Sequence, residues 1–167
     1  MNTATRVLIA ASVAAALAAC SKEVKEETPV QDTTPAVTPA VDDGRYGPED
    51  LDTDSCLRQR TVYFDFDQDT LRPEFQAIMA CHAKHLNDRP EARITLEGNA
   101  DERGTREYNL GLGERRGNAV SGALQGAGGS ASQLTVVSYG EERPTCTESS
   151  EDCWSKNRRV EIVYTAR

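Results

Sequence analysis

Four short segments in the C-terminal part of the chain alternate apolar and polar residues, which is the pattern of strands with one buried face. The first runs from Thr61 to Phe66, with Val62, Phe64 and Phe66 on the apolar side. The same alternation recurs in three later segments, which contain Ile94 and Leu96, Leu134 and Val136, and Val160, Ile162 and Tyr164. Because each strand has one apolar face, the sheet needs a cover that shields that face from water.

Two stretches with helical spacing of apolar residues can supply this cover. The first contains Leu71, Phe75, Ile78, Met79, His82 and Leu86, and the second contains Tyr108, Leu112, Ala119, Val120 and Ala123. We expect Arg89-Pro90 to end the first helix and Gly126, Gly128 and Gly129 to end the second. A third, short helix or turn fits between Ser149 and Asn157. The order of these elements predicts an α/β sandwich, a mixed four-stranded sheet with two main helices packed on one face.

The segment before this pattern has almost no large apolar residue. It is rich in Lys, Glu, Thr and Pro, as in Glu26–Pro29 and Thr34–Pro39. Such a segment cannot bury enough surface to fold. With about thirty residues it would average roughly 30 Å end to end and reach on the order of 100 Å when taut. We therefore expect residues 20–51 to form a disordered tether and residues 52–167 to form the folded domain.

The first residues of the chain have the features of a lipoprotein signal peptide. Arg6 precedes an apolar run that stops at Cys20, and the run is too short to be a stable membrane span. The residues Leu17-Ala18-Ala19 before Cys20 match the pattern that lipoprotein signal peptidase reads. We expect residues 1–19 to be removed and Cys20 to carry lipid, with no other cofactor. The alternative is an ordinary cleaved signal with an incidental cysteine.

Lipid on Cys20 would fix the protein to a membrane. Each buried methylene contributes roughly 0.8 kcal/mol, and a bacterial lipoprotein carries several long chains. Ser21 follows the cysteine, whereas Asp at that position is the usual signal for retention in the inner membrane. The expected location is therefore the outer membrane, with the domain facing the periplasm.

The charge of the chain limits its partners. The formal net charge is -8, and a chain this acidic is not built to bind nucleic acid through its phosphates. Any binding to another polyanion must depend on a specific site rather than on bulk attraction.

The four cysteines after Cys20 are expected to form disulfides, because an exported protein reaches an oxidising compartment. They are Cys56, Cys81, Cys146 and Cys153. Four cysteines allow three pairings, which the sequence does not decide between. The favoured pairing joins Cys146 to Cys153, which bracket a short polar loop, and Cys56 to Cys81 by elimination.

Two groups of residues are candidates for a metal site or for catalysis. Cys81, His82 and His85 could suggest metal ligands, but thiols in this compartment are more often paired, so no metal is expected. Asp65, Asp67 and Asp69 resemble the start of a calcium loop, but an EF-hand needs Gly and Glu at positions that Thr70 and Gln76 occupy. The chain also lacks a nucleophile motif, so no catalytic activity is expected.

The second helix contains an arginine where an apolar residue is expected. At about 100° per residue, Arg116 falls near the middle of the apolar stripe, whereas Arg115 lies at its margin and can reach water. A buried guanidinium needs a partner, and the candidate is Asp101 in the loop before this helix. A fixed carboxylate and a fixed guanidinium in one shallow pocket would suit a zwitterionic ligand.

Four motifs carry a resemblance to a known family. They are Gly98–Asn109 (GNADERGTREYN), Leu112–Arg116 (LGERR), Val137–Pro144 (VSYGEERP) and Ser155–Val160 (SKNRRV). With the signal peptide and the tether, they resemble the OmpA-like C-terminal domain family and, within it, the peptidoglycan-associated lipoproteins. The resemblance extends from about Val62 to the end of the chain.

This resemblance implies a function and a set of site residues. The family binds meso-diaminopimelate in the peptide stems of peptidoglycan, with Asp101 on the ammonium group and Arg116 on the carboxylate. Arg103 and Asn109 would support the pocket, and the backbone around Phe66 and Asp67 would form its other wall. The resemblance also implies a TolB-like periplasmic partner and a role in the Tol system. An alternative is that the domain acts mainly as a module for binding such a protein partner.

The predicted anchor can be tested with Cys20→Ala. The variant should fold as the wild type does but should be released from membranes, because it has no lipid. Cell fractionation measures this, in a preparation from which the cell wall has been removed. If the variant still sediments with outer membrane there, lipid on Cys20 is not the anchor.

Overall fold

The computed structural model describes residues 44–167, which contain four helices and four strands. In chain order they are α1 Asp50–Thr53, β1 Thr61–Tyr63, α2 Gln76–Asp88, β2 Arg93–Asn99, α3 Arg106–Gly126, β3 Leu134–Gly140, α4 Glu151–Asn157 and β4 Arg159–Ala166. Short 3-10 turns precede α2 and β3. The predicted signal peptide, Cys20 and most of the predicted tether lie outside the described residues.

The strands form one mixed sheet in the order β1-β4-β2-β3. β4 pairs antiparallel with both β1 and β2, and β2 pairs parallel with β3. Leu96 lies opposite Ile162 on one side and Val136 on the other, which places three apolar side chains in one row. The predicted mixed four-stranded sheet with covering helices is confirmed.

The core lies between this sheet and the helices α2 and α3. Its buried residues are Val62, Phe64, Phe75, Ile78, Met79, Leu86, Ala92, Ile94, Leu96, Val120, Leu124, Val160 and Ile162. The helices end where the sequence predicted, since α2 stops just before Arg89-Pro90 and α3 stops at Gly126. The predicted short third helix is α4.

The first strand is shorter than its alternating pattern predicted. β1 ends at Tyr63, and the chain turns at Asp65–Gln68, where the Gln68 amide donates to the carbonyl of Asp65. Asp67 has a φ of 56° within this turn, which no strand accommodates. Phe66 is consequently 54% exposed rather than in the core. Tyr108, expected on the apolar stripe of α3, is 45% exposed.

The folded part also begins before residue 52, the predicted boundary. Residues from Gly44 onward are described, and Leu51 in α1 is completely buried. Leu51 is a single apolar residue among acidic neighbours, so it produces no periodic signal. Within residues 44–167 no helix is long and apolar enough to cross a membrane.

Two glycines allow α3 to lie directly against the sheet. A Cβ atom on Gly98 in β2 would collide with the backbone of Gly113 in α3, and one on Gly113 would collide with Gly98 and with the Ser138 side chain. Only glycine permits such an approach. This contact fixes the first half of α3 beside the loop that follows β2.

Both predicted disulfides are present in the structure, Cys56–Cys81 and Cys146–Cys153, at sequence separations of 25 and 7. The first attaches the segment before β1 to α2. The second closes the loop that leads into α4.

The bridges should stabilise the domain through the loops that they close. On chain-entropy grounds the loss is about 3.5 kcal/mol for Cys56→Ser/Cys81→Ser and about 2.5 kcal/mol for Cys146→Ser/Cys153→Ser. Urea unfolding of both double variants measures this. In the unreduced, denatured wild type, none of these cysteines should react with an alkylating agent, and four alkylated thiols would contradict both pairings.

His82 is a core histidine rather than a metal ligand. Its Nε2 donates to the carbonyl of Gln59 at 3.1 Å, so Nδ1 accepts from the Tyr164 hydroxyl at 2.8 Å. Burial lowers the pKa of His82 from 6.5 to about 4. The neutral imidazole is therefore part of the folded state.

The buried His82 should make stability depend on pH. Between about 4 and 6.5 the unfolded chain binds a proton at this position that the folded domain does not, so the free energy of unfolding falls as pH falls through this window. The shift corresponds to about 3 kcal/mol. Burial also lowers the pKa of His85, which acts in the same direction.

Urea unfolding across this pH window measures the effect in the wild type and in His82→Gln. The variant should show a shallower pH dependence, because only His85 of the two histidines remains to titrate. Equal slopes for the two proteins would contradict the assignment to His82.

Candidate functional site

A pocket of about 230 Å³ opens where the loop after β2 meets the start of α3 and the turn after β1. Its lining residues are Phe66, Asp67, Asp101, Arg103, Gly104, Tyr108, Asn109 and Leu112. Five of the six residues predicted to bind ligand are in this set, and Arg116 is not. Thr105 begins α3 by accepting a hydrogen bond from the Tyr108 amide, which orients the loop at the pocket edge.

Asp101 is one of the two carboxylates that line this pocket, and it is 4% exposed. Its Oδ1 accepts from the amide and the Nε of Arg103, both at 3.1 Å, and its Oδ2 accepts from Arg103 Nη2 at 2.8 Å and from Arg158 Nη1 at 3.4 Å. Burial alone would raise the pKa of Asp101, but these hydrogen bonds and the Arg103 charge bring the pKa below its usual value. The carboxylate is therefore ionised at neutral pH.

Arg103 contacts two aromatic rings. Its guanidinium carbon is 3.9 Å from the centre of the Phe66 ring and 4.2 Å from that of Trp154. Its Nη2 also lies 3.5 Å from Glu151 Oε2. Stacking and charge together hold this side chain over Asp101.

Arg116 is completely buried, as its position on the apolar stripe predicted, but its partners differ from the prediction. Its Nε donates to the carbonyl of Gln68 at 2.8 Å, Nη1 to that of Asn99 at 2.9 Å, and Nη2 to that of Asp65 at 3.1 Å. Asp101, the candidate partner, makes no direct hydrogen bond to Arg116 within residues 44–167, and three main-chain carbonyls take that place. Burial lowers the pKa of Arg116 to about 10, and the charge of Asp101 opposes that shift.

These bonds give Arg116 a clear structural effect on the pocket. The carbonyls of Asp65 and Gln68 flank Phe66 and Asp67, and Asp67 has the left-handed backbone. Such a conformation costs on the order of 1 kcal/mol or more and persists only where the surroundings hold it. Arg116 thus fixes the turn that forms the Phe66–Asp67 wall.

The remaining predicted wall residues have defined partners. Asn109 is buried and donates through Nδ2 to Glu141 Oε2. Asp67 Oδ1 accepts from the hydroxyl of Tyr108, which closes one side of the pocket. Arg115 differs from Arg116 as expected, since its side chain is 48% exposed and pairs with Asp69 at 3.0 Å.

The three alternating aspartates do not converge on a common site. Asp65 pairs with Arg72, Asp67 with Tyr108 and Asp69 with Arg115. Between residues 44 and 167, no group of three or more His, Cys, Asp or Glu side chains is placed to hold a metal ion.

Sequence reasoning missed three contributors to the site. Arg158 bridges Asp101 to Glu151, Trp154 stacks on Arg103, and Tyr108 bonds to Asp67. Arg158 lies inside the Ser155–Val160 motif, so the sequence already marked an arginine at this position. Trp154 is the sole tryptophan of the chain, and it follows a bridged cysteine, which was a usable signal of a fixed aromatic residue.

Comparison with known proteins gives consistent results. Residues 63–158 match the OmpA family. Peptidoglycan-associated lipoproteins of Pasteurella multocida and Haemophilus influenzae are 40% and 42% identical to the chain, each over 98% of this chain and 100% of the relative. The crystal structure of the peptidoglycan-associated lipoprotein from Burkholderia pseudomallei superposes with a TM-score of 0.67 at 43% identity and covers 69% of this chain and 98% of that one.

The names of these relatives describe lipoproteins associated with peptidoglycan, and none of them names an enzyme. The fold, the match over residues 63–158 and the similarity over nearly the whole length agree with one another. The chain belongs to the OmpA family, in the group of the peptidoglycan-associated lipoproteins.

Proposed function

We propose that the domain binds the peptide stems of peptidoglycan at the pocket around Asp101, and that lipid on Cys20 holds it in the outer membrane. The chain would then tether the outer membrane to the cell wall without a covalent bond to it. The observation that carries the proposal is Asp101 itself, an ionised and nearly buried carboxylate in the lining of a small pocket. A buried charge is costly unless partners compensate it, and Arg103 and Arg158 compensate Asp101 in the empty pocket.

The size of the pocket favours the end of a side chain as its ligand. At about 230 Å³, it is smaller than the roughly 300–1,000 Å³ typical of pockets that enclose a whole small molecule. The side chain of meso-diaminopimelate ends in an ammonium and a carboxylate on one carbon. The pocket has charges of both signs and an exposed aromatic ring, Phe66, at its edge.

In this proposal Asp101 binds the ammonium group and Arg116 the carboxylate. A guanidinium carries five N–H donors, and the hydrogen bonds to Gln68, Asn99 and Asp65 use three of them. The other two can serve a ligand carboxylate, provided that the Phe66–Asp67 wall moves, because Arg116 has no exposed surface. Arg103, Asn109, Phe66 and Asp67 shape the rest of the site.

A second candidate function uses the same face. Phe66 and Tyr108 are large, exposed side chains at the pocket rim, and exposed aromatic residues are common at protein interfaces. We propose a TolB-like periplasmic protein as the partner, which would place the chain in the Tol system of envelope integrity and cell division. Wall binding and this partner would then compete for one surface, and a competition assay with purified sacculi and TolB tests that point.

The central prediction concerns Asp101 and Arg116. Asp101→Asn keeps the shape and removes the charge, and Arg116→Gln keeps donors but removes the guanidinium. Each change should cost about 2 to 5 kcal/mol of binding, because it leaves one charged end of the ligand without its partner. A binding isotherm with a purified diaminopimelate stem peptide measures the loss.

Two controls make this test specific. Arg115→Ala removes an adjacent arginine that is exposed and should have a small effect. Stem peptides with lysine in place of diaminopimelate keep the ammonium but lack the carboxylate, so they should bind more weakly to the wild type. Circular dichroism confirms that each variant is folded. Equal affinity for the two peptides, or wild-type affinity in Arg116→Gln, would refute the assigned roles.

A further inference from the structure

The carboxylate of Asp101 is fully occupied within the described residues. A carboxylate offers about four lone-pair positions, and four N–H groups fill them. Three belong to Arg103, namely its amide, Nε and Nη2, and one belongs to Arg158. A ligand ammonium can reach Asp101 only in exchange for one of these donors.

Arg103 is the donor that can leave. Its side chain is 30% exposed, whereas that of Arg158 is 7% exposed. Arg158 is also held by two further hydrogen bonds, which its Nε donates to the carbonyl of Phe64 at 3.1 Å and its Nη2 to Glu151 at 2.6 Å. Removal of the Arg103 side chain from Asp101 leaves no buried cation, because its guanidinium can enter water.

Trp154 is the second aromatic ring in contact with the Arg103 guanidinium. Phe66 lines the pocket and Trp154 does not, so Trp154 acts on the pocket through Arg103 rather than through contact with a ligand. Its indole is itself fixed, since Nε1 donates at 3.0 Å to Glu102 Oε1, which also accepts from the hydroxyl of Ser149 at 2.6 Å. The ring therefore has one defined position.

The Cys146–Cys153 bridge sets that position. Cys153 is buried and precedes Trp154 in α4, a helix of 7 residues without a side-chain N-cap. Asn157 closes the other end of α4, accepting from the amides of Thr145 and Cys146 and donating to the carbonyl of Cys146. A helix this short has little stability of its own. The bridge and Asn157 together fix Trp154.

We infer that Trp154 is a positioning residue of the proposed site, which holds Arg103 over Asp101 in the empty pocket, and that the ligand ammonium binds by exchange with Arg103. This inference rests on the proposed function. The loop closed by Cys146–Cys153 then affects ligand affinity from outside the pocket, because it determines how readily Arg103 leaves Asp101.

The test measures the affinity of the whole domain for a diaminopimelate stem peptide in wild type, Trp154→Ala and Trp154→Phe. Loss of the stacking should release Arg103 and raise the affinity of Trp154→Ala by roughly twofold to thirtyfold, the range that one cation–π contact supports. Trp154→Phe keeps an aromatic face but loses the bond to Glu102, so its affinity should lie between those of the wild type and Trp154→Ala. Unchanged or weaker binding by Trp154→Ala would overturn the inference.

Fluorescence gives a readout that does not depend on any variant. Trp154 is the sole tryptophan, so emission from the wild type reports on its contact with Arg103. Addition of the stem peptide should shift that emission, and an unchanged spectrum at saturating peptide would contradict the exchange.

The two disulfides provide a matched pair of controls. Cys146→Ser/Cys153→Ser should loosen Trp154 and change affinity in the same direction as Trp154→Ala, whereas Cys56→Ser/Cys81→Ser should leave affinity unchanged. Equal effects of the two would overturn the role of the bridged loop.

If the wild type does not bind the peptide, both the proposed function and this inference are wrong. If it binds in an Asp101-dependent manner and Trp154→Ala does not bind more tightly, only this inference fails.

Discussion

The buried guanidinium of Arg116 is the interaction on which the site depends. It extends from α3 to three main-chain carbonyls, two in the turn after β1 and one at the end of β2. The turn after β1 lies outside the strands and helices, so no sheet or helix hydrogen bonds hold it. Because Gly98 and Gly113 allow α3 to lie against β2, the distance is short enough for the arginine side chain to span it. A charge in the core thus replaces secondary structure where the chain must form a pocket wall.

Two further arginines continue this arrangement around Asp101. Arg158 links the carbonyl of Phe64, Asp101 and Glu151, while Arg103 joins Asp101 to the rings of Phe66 and Trp154. Each planar guanidinium can satisfy several acceptors at fixed angles, which lysine cannot do. Segments that are far apart in sequence therefore meet at one carboxylate. The acidic net charge of the chain does not conflict with this local concentration of cations, since most of the arginines here are paired.

The sequence predicted those features that have a repeating signal. The alternation of apolar and polar residues located β2, β3 and β4. Helical spacing located α2 and α3 and identified Arg116 as an arginine on an apolar stripe. The partners of Arg116 could not be predicted, because every residue has a carbonyl and nothing in the sequence marks which carbonyls will be near. Phe66 was wrongly predicted to lie on the buried face of the first strand. The alternation of apolar and polar residues continues to Phe66, although the chain already turns around Asp67. The stack on Arg103 joins three separate segments, so no spacing rule reveals it.

The Cys56–Cys81 bridge also bears on how the domain would respond to mechanical force. Tension applied through the N-terminal segment would first break the hydrogen bonds that Arg45 and Tyr46 donate to Asp88. At Cys56 the load would pass through the sulfur atoms into α2 and bypass the intervening backbone. The turn at Asp65–Gln68 lies inside that covalent loop. A pull on the N-terminal segment would therefore reach α2 without stretching the turn that forms the Phe66–Asp67 wall.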